Sequence, residues 1–265
     1  MTVLGIQAVL GVDSGLLPSI TAWSAVVIAL ASFLGSMASA ITGAGGAILI
    51  SFAIAPIIGV GAVVQTISVA MTVSHIARIQ AFRREIDWPT GFWIMAWAIP
   101  ACIIGSVIYT WLDERSIALL LGGFMLTVVL ARRLLPKDSF RLSRFWIAAC
   151  SFGFGLVSGA TIGGGILVLP ILAGAGLTGA GFVATDAVIG MVLHLVKMVI
   201  FGTASVLNQQ QLILGLLIGI MMIPGAYVAR YLLRHMPLSV HAGLIDAVIA
   251  LGGIGFLVQA LRSFT

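Results

Sequence analysis

Apolar runs of about 20 residues recur along nearly the whole chain, with short polar or glycine-rich stretches between them. A helix of about 20 residues is long enough to cross the hydrocarbon core of a bilayer. The pattern therefore predicts an all-α integral membrane protein whose helical segments fall into two sets of five. The first set is predicted at residues 22–41, 45–59, 62–82, 91–112 and 116–135, and the second at residues 145–161, 164–176, 179–202, 212–233 and 240–261.

Two glycine-rich stretches interrupt these runs at matching places. Residues 39–46 have the sequence SAITGAGG and residues 158–165 have the sequence SGATIGGG, so the two stretches begin 119 residues apart. Glycine in a helix interior costs about 1 kcal/mol relative to alanine, and we therefore expect a broken helix pair at each stretch. Broken backbone at membrane depth is tolerated only where it is buried in protein or lines a cavity. A matching pair of interruptions in two halves is typical of a transporter binding site.

The repeat extends beyond the glycines. At the same offset, His75 and Arg78 match His194 and Lys197. A spaced basic pair that recurs in register inside two apolar helices indicates a duplicated chain. We predict a lead-in at residues 1–21, a first transmembrane repeat at residues 22–136, a basic cytoplasmic linker at residues 137–144 and a second transmembrane repeat at residues 145–265.

The charges of the loops predict the orientation of each half. The loop after the third segment carries Arg83 and Arg84, whereas its repeat mate at residues 203–211 carries no charge. By the positive-inside rule the first loop is cytoplasmic and the second is outside. We therefore predict two inverted-topology repeats, each with a glycine-broken helix pair plus three transmembrane helices. The predicted location is the cell inner membrane, with both termini on the outer side.

The composition narrows the classes of function. Of the 265 residues, 61% are hydrophobic and 8% are charged, and the net charge of +5 comes from cations that lie mostly in short loops. That charge is a topology signal, so the expected partner is the lipid bilayer and not nucleic acid. The sequence shows no nucleophile–base arrangement, no phosphate-binding loop and no cluster of metal ligands. We expect no enzyme, no catalytic residue, no metal and no cofactor. Cys102 and Cys150 are expected to be small buried hydrophobes.

Cations inside the apolar helices are the sharpest chemical feature. His75 and Arg78 are three residues apart and share one helix face, as do His194 and Lys197. A cation at mid-helix costs roughly 2.5–3.5 kcal/mol on insertion scales, so we interpret the two pairs as a pocket for a small anionic substrate. For Arg78 the alternative is a side chain that snorkels to the cytoplasmic end of its helix.

The glycine stretches supply the rest of the predicted pocket. Helices that begin at Gly45 and Gly164 would direct backbone N–H groups and positive dipole ends at an anion. The alternative is that these small residues only allow helices to pack closely. The predicted substrate-binding residues are Ser39, Thr42, Gly45, Gly46, His75, Arg78, Ser158, Thr161, Gly164, Gly165, His194 and Lys197.

Asp186 is an intramembrane carboxylate on roughly the same helix face as Lys197, eleven residues away. Its repeat mate is Ile67, and this asymmetry favours a proton-coupling or counter-charge role over a shared anion cradle. The alternative is a residue near the start of its helix, close to the cytoplasmic interface.

Two motifs of the second half resemble a known family. The sequence GGGILVLP at residues 163–170 fits a pattern of three glycines with a proline five residues later, and Thr185-Asp186-Ala187 with His194 fits the helix that follows. In these residues the chain resembles the sulfite exporter TauE/SafE family, also called TSUP, from about Trp23 to Phe264. The first half departs from the motif, because Ser51 stands at the position of Pro170.

The resemblance implies a secondary transporter for sulfite or for organosulfonates such as sulfoacetate, and the intramembrane carboxylate adds proton coupling as a hypothesis. The alternatives are an anion channel, or a carrier for another small carboxylate-type anion. A membrane enzyme or an assembly factor would need catalytic or docking residues. The substrate, the direction of transport and the coupling ion stay open, as does the formation of a homodimer.

Overall fold

The computed structural model describes residues 22–42, 46–117, 119, 120, 123, 141–162, 164–177, 179–232, 254 and 258. In these parts the chain is helical and contains no strand. The helices are α1 (Ala22–Thr42), α2 (Gly46–Ile58), α3 (Val63–Phe82), α4 (Trp88–Thr110), α5 (Arg144–Ala160), α6 (Gly165–Gly174), α7 (Gly179–Thr203) and α8 (Gln209–Leu232), with a 3₁₀ turn at Val60–Ala62. Residues 114–117 are also helical.

The predicted helices are confirmed where the structure describes them. The fourth segment begins three residues earlier than predicted, at Trp88. Asp87 is the reason, because its side chain accepts a hydrogen bond from Thr90 N at 3.0 Å and so caps the helix. Most of the predicted segments at residues 116–135 and 240–261 lie outside the described residues, as do the lead-in at residues 1–21 and residues 137–140 of the linker.

At each glycine stretch one helix ends and the next begins: α1 ends at Thr42 and α2 begins at Gly46, and α5 ends at Ala160 and α6 begins at Gly165. At the first break, Gly46 N donates a hydrogen bond to Ser39 Oγ at 3.0 Å. A Cβ atom at Gly46 would overlap the carbonyl oxygen of Gly35, so the glycine lets the two helix backbones touch.

Helices α3 and α7 contact each other, and the other helices pack around this pair. Helix α8 packs against α3 and α1, and α4 packs against α7 and α5. The short helix α2 packs against α1 and α3, and the short helix α6 packs against α5 and α7. The contacts have a two-fold pattern. If α1, α2, α3 and α4 exchange places with α5, α6, α7 and α8, each of these main contacts becomes a contact of the same set.

Three of the described helices are long and apolar enough to cross a membrane by length and composition: Val60–Gln80, Trp88–Thr110 and Gly181–Thr203. The shorter apolar helices span Trp23–Met37, Gly46–Ile58, Arg144–Ala160 and Gln209–Gly225. Large apolar side chains face outward, as in Phe92 and Val199, and a lipid environment explains their exposure because lipid tails are themselves apolar. The chain is therefore a multi-pass membrane protein.

The two cysteines differ in burial. Cys102 is buried as predicted, but Cys150 is exposed, so the expectation for Cys150 was wrong. The buried face of α5 carries Ile147, Ser151 and Phe154, and Cys150 lies off this stripe on the outward side of the helix.

Buried polar side chains concentrate on the two central helices. Helix α3 buries Thr66, Ser68, Thr72, Ser74, His75 and Arg78, and α7 buries Thr185, Asp186 and Lys197. Buried polar groups need hydrogen-bond partners or a polar cavity. The interface between α3 and α7 is therefore the place to look for a site.

Candidate functional site

A cavity of about 40 Å³ lies between the two halves of the chain. A single buried water needs a cavity of about 10–15 Å³, so the central space has room for a few small atoms. We call it the central cavity. Its lining residues are Ala47, Met71, His75, Phe154, Ser158, Gly164, Gly165, Asp186, Gly190, Leu193, His194 and Lys197.

Lys197 brings a buried cation to this cavity. The residue is only 2% exposed, and its Nζ donates to the carbonyl oxygens of Ser158 at 2.9 Å and Thr161 at 3.4 Å. These carbonyls belong to the C-terminal end of α5 and the turn after it. Carbonyls at that end lack partners within the helix and carry the negative end of the helix dipole. The second glycine break therefore orients Lys197 at the cavity.

His75 and His194 face each other across the interface between the halves. Their ring centroids are 5.5 Å apart and their planes are inclined by 28°, which makes a stacked pair. The Nδ1 atoms of both rings are buried and have no hydrogen-bond partner among the described residues. The sequence related the two histidines only as repeat mates, and the structure brings them into contact.

Arg78 and Asp186 form an ion pair between α3 and α7. The Arg78 guanidinium is buried, so the snorkelling alternative for this residue is wrong. Asp186 is 3% exposed and lies in the third turn of α7, which argues against an interfacial residue at a helix start. The predicted counter-charge role for Asp186 agrees with this geometry. Arg78 does not line the central cavity, whereas Asp186 does.

The second glycine stretch contributes more to the central cavity than the first. Ser158, Gly164 and Gly165 line it directly. The Thr161 hydroxyl donates to the carbonyl oxygen of Val157 at 2.7 Å, so Thr161 reaches the site through its own carbonyl, which accepts from Lys197. In the first stretch, neither Ser39 nor Gly46 lines the cavity, although the adjacent Ala47 does. Gly45 and the Thr42 side chain lie outside the described parts of the chain.

Sequence reasoning missed Gly190, which lies against His75. A Cβ atom at Gly190 would lie 2.5 Å from Nε2 of His75 and 2.7 Å from its Cε1, so any larger residue would require the ring to move. The spacing could have indicated it, because Gly190 lies four residues after Asp186 and four before His194 on one face of α7. No sequence pattern indicates that a histidine from α3 would occupy that space.

Comparison with known proteins identifies a family for this chain. The family model of the sulfite exporter TauE/SafE family matches residues 28–256. This range includes both glycine breaks and every residue that lines the central cavity. No curated protein and no solved structure matches the chain.

Proposed function

The chain belongs to the sulfite exporter TauE/SafE family of membrane transporters, and we propose that it is a secondary transporter for a small sulfur-containing anion. The proposed substrate is sulfite or an organosulfonate, carried across the cell inner membrane. The proposed binding site is the central cavity, with Lys197 as the residue that neutralises the anion.

The observation that carries this proposal is the uncompensated charge of Lys197. A buried cation is costly unless it is paired. Its two carbonyl partners satisfy N–H donors but bring no full negative charge. Among the described residues, Asp186 is the only carboxylate that lines the cavity, and it is already paired with Arg78. The described residues around the cavity therefore leave a net positive charge, which suits a single small anion.

The arrangement of the helices supports alternating access. The central cavity takes residues from both halves, and in many secondary transporters the substrate site lies between two repeats that rock against each other. The main helix contacts map onto one another when the halves are exchanged, which supports a repeat. The loop at Arg83 and Arg84 is basic while its mate at residues 203–211 is uncharged, which supports inversion of that repeat. Both termini then lie on the outer side.

Proton coupling is part of the proposal, with Asp186 as the coupling residue. Protonation of Asp186 would remove the charge that holds Arg78 and would weaken the contact between α3 and α7. The strength of the contact between the two halves can then differ between the inward-facing and outward-facing states. Through this ion pair, the protonation state of Asp186 would affect the change between the two states.

The alternatives are an anion channel and a carrier for a small carboxylate-type anion. A channel needs a continuous water-filled pore, and a cavity of about 40 Å³ is a small compartment, which favours a carrier. Size also bears on the substrate, because a compact oxoanion fits such a space better than an anion with a long organic tail.

The test is transport by the purified protein in proteoliposomes. We expect uptake of labelled sulfite that saturates with concentration and that is accelerated by unlabelled sulfite on the opposite side of the membrane. A panel of sulfonates and carboxylates, added as competitors, would rank the substrates. Uptake that rises without saturation, together with ionic conductance, would favour the channel, and competition by carboxylates alone would contradict a sulfur anion.

A further inference from the structure

Three ionisable side chains and one glycine form a column along α7. Asp186, Gly190, His194 and Lys197 lie at intervals of four, four and three residues and therefore share one helix face. The column is roughly 16 Å long at 1.5 Å per residue. Gly190 has no side chain, and the His75 ring of α3 occupies the space beside it. The column therefore includes one side chain from the first half of the chain.

The gap at Gly190 is specific to the second half. Its repeat mate is Met71, a long side chain that also lines the central cavity. A Cβ atom at Gly190 would lie 2.5 Å from Nε2 of His75, so an ordinary side chain would displace the imidazole. The chain thus places one histidine between Asp186 and His194, and stacks it on the second histidine.

The two imidazoles are equipped to exchange protons with this cavity. Asp186, His75, His194 and Lys197 all line it, and the Nδ1 atoms of both histidines are buried with no protein partner in the described parts of the chain. The cavity volume of about 40 Å³ is enough for a small number of bridging waters. Histidine is the side chain that most readily gains and loses a proton near neutral pH.

We propose that His75 and His194 form a proton relay between Asp186 and the anion site beside Lys197. The inference rests on the proposed transport function and deepens it. A proton bound by Asp186 passes through cavity water to one imidazole of the pair, and the Asp186 carboxylate recovers its ion pair with Arg78. The proton then passes from the imidazole to the anion, or to water beside it, and leaves with the anion. The pair returns to its neutral form.

The charges around the relay set its capacity. Arg78, Asp186 and Lys197 are the charged groups that face it, and Cys102 of α4 contributes a thiol whose Sγ lies 3.8 Å from the carbonyl oxygen of Leu193. In the described parts of helices α1, α2, α5, α6 and α8, no ionisable side chain is buried. Two positive charges on rings 5.5 Å apart would repel each other strongly at low dielectric. The pair therefore holds one extra proton at a time.

The first experiment separates relay from substrate binding. His75→Gln and His194→Gln keep a polar side chain but cannot be protonated near neutral pH. We expect both variants to lose uptake driven by a pH gradient by at least ~100-fold, the lower end of the effect of a positioned proton-transfer group. Exchange of labelled for unlabelled sulfite at constant pH should fall by a much smaller factor, because Lys197 still neutralises the anion. Exchange and pH-driven uptake that fall together, or pH-driven uptake that survives, would overturn the relay.

A second pair of variants tests the position of His75 without removing it. Gly190→Ala would displace the imidazole, whereas Gly202→Ala on the same helix places a Cβ where no atom lies within 4 Å. We expect Gly190→Ala to lose pH-driven uptake by a much larger factor than exchange, and Gly202→Ala to keep both. Unchanged pH-driven uptake in Gly190→Ala would overturn the proposal.

A measurement without substrate distinguishes failure of the relay from failure of the transport proposal. The chain has four histidines, so the ¹⁵N NMR signals of His75 and His194 in lipid nanodiscs can be assigned from the two glutamine variants. We expect Asp186→Asn to shift the titration of both rings, and removal of either ring to shift the titration of the other. Rings that titrate independently would overturn the relay even if sulfite is transported. Coupled titration in a protein that exchanges no sulfur anion would keep the relay and reject the substrate.

Discussion

Arg78 of α3 and Asp186 of α7 form an ion pair that joins the two halves of the chain, with side chains 3% and 4% exposed. Burial of two charges costs solvation that their mutual attraction only partly recovers. Such a pair is therefore a weak source of net stability, but the loss of one partner leaves an uncompensated charge in the interior. The pair also depends on protonation, because a neutral Asp186 holds Arg78 less firmly.

The ion pair predicts a specific pattern of stability. Arg78→Met should lower the free energy of unfolding by about 3–5 kcal/mol, because it leaves the Asp186 carboxylate buried without its partner. The double variant with Asp186→Leu should recover most of that loss, since two apolar side chains replace both charges. Unfolding by SDS in mixed micelles would compare the wild type, the Arg78→Met and Asp186→Leu single variants and the double variant. Strictly additive losses in the double variant would contradict a coupled pair.

Asp186→Asn tests the coupling role of the carboxylate. Asparagine resembles the protonated form in size and still offers an oxygen to Arg78. We expect exchange of labelled substrate to continue while transport driven by a pH gradient is lost. Both activities would be measured in the same proteoliposomes, and pH-driven flux that equals the wild-type value would exclude Asp186 as the coupling residue.

Lys197→Met tests the anion site. The ammonium is buried beside the central cavity, and a hydrogen bond to a charged group contributes about 1.5–3 kcal/mol, or about 10- to 100-fold in affinity. We expect a loss of substrate affinity of that size. Arg84→Met is the matched control, because Arg84 is an exposed cation in the turn after α3. Equal loss of affinity in both variants, at matched expression, would show that Lys197 does not bind the anion.

Close contact between α4 and α5 predicts different outcomes for two glycines of one helix. A Cβ atom at Gly155 would overlap the carbonyl oxygen of Ala98, whereas a Cβ atom at Gly153 would meet nothing within 4 Å. Gly155→Ala should therefore destabilise the protein by about 1–3 kcal/mol, the usual cost of overpacking. Gly153→Ala should be neutral or should stabilise by up to about 1 kcal/mol, from helix propensity. Similar unfolding midpoints for the two variants would contradict the contact.

Cysteine labelling tests the inverted topology. Cysteines would replace Arg84 and Gln209, both exposed, in a background without Cys102 and Cys150. We expect a membrane-impermeant maleimide to label the two positions from opposite sides of the membrane. If both positions react from the same side, the halves are not inverted, and the proposed location of the termini fails with them.

Much of the fold was predictable because its causes are local in the sequence. Apolar runs of membrane-spanning length predicted the helices, and the density of glycine predicted that one helix would end near Thr42 and another near Ala160. The match of His75 and Arg78 with His194 and Lys197 located the polar interior of both central helices. Asp87 shows how a single capping side chain moves a helix start, because the apolar pattern placed it three residues too late.

The partners of the polar groups were decided only by the tertiary structure. Arg78 and Asp186 are 108 residues apart in the chain, and they meet because α3 packs against α7. The rotation of a membrane helix is set by its contacts with neighbouring helices, and apolar periodicity alone does not say which neighbouring side chain a polar residue meets. For that reason the sequence identified the cations of the site, whereas packing decided that Arg78 is neutralised, that Lys197 faces the cavity and that His75 fills the space left by Gly190.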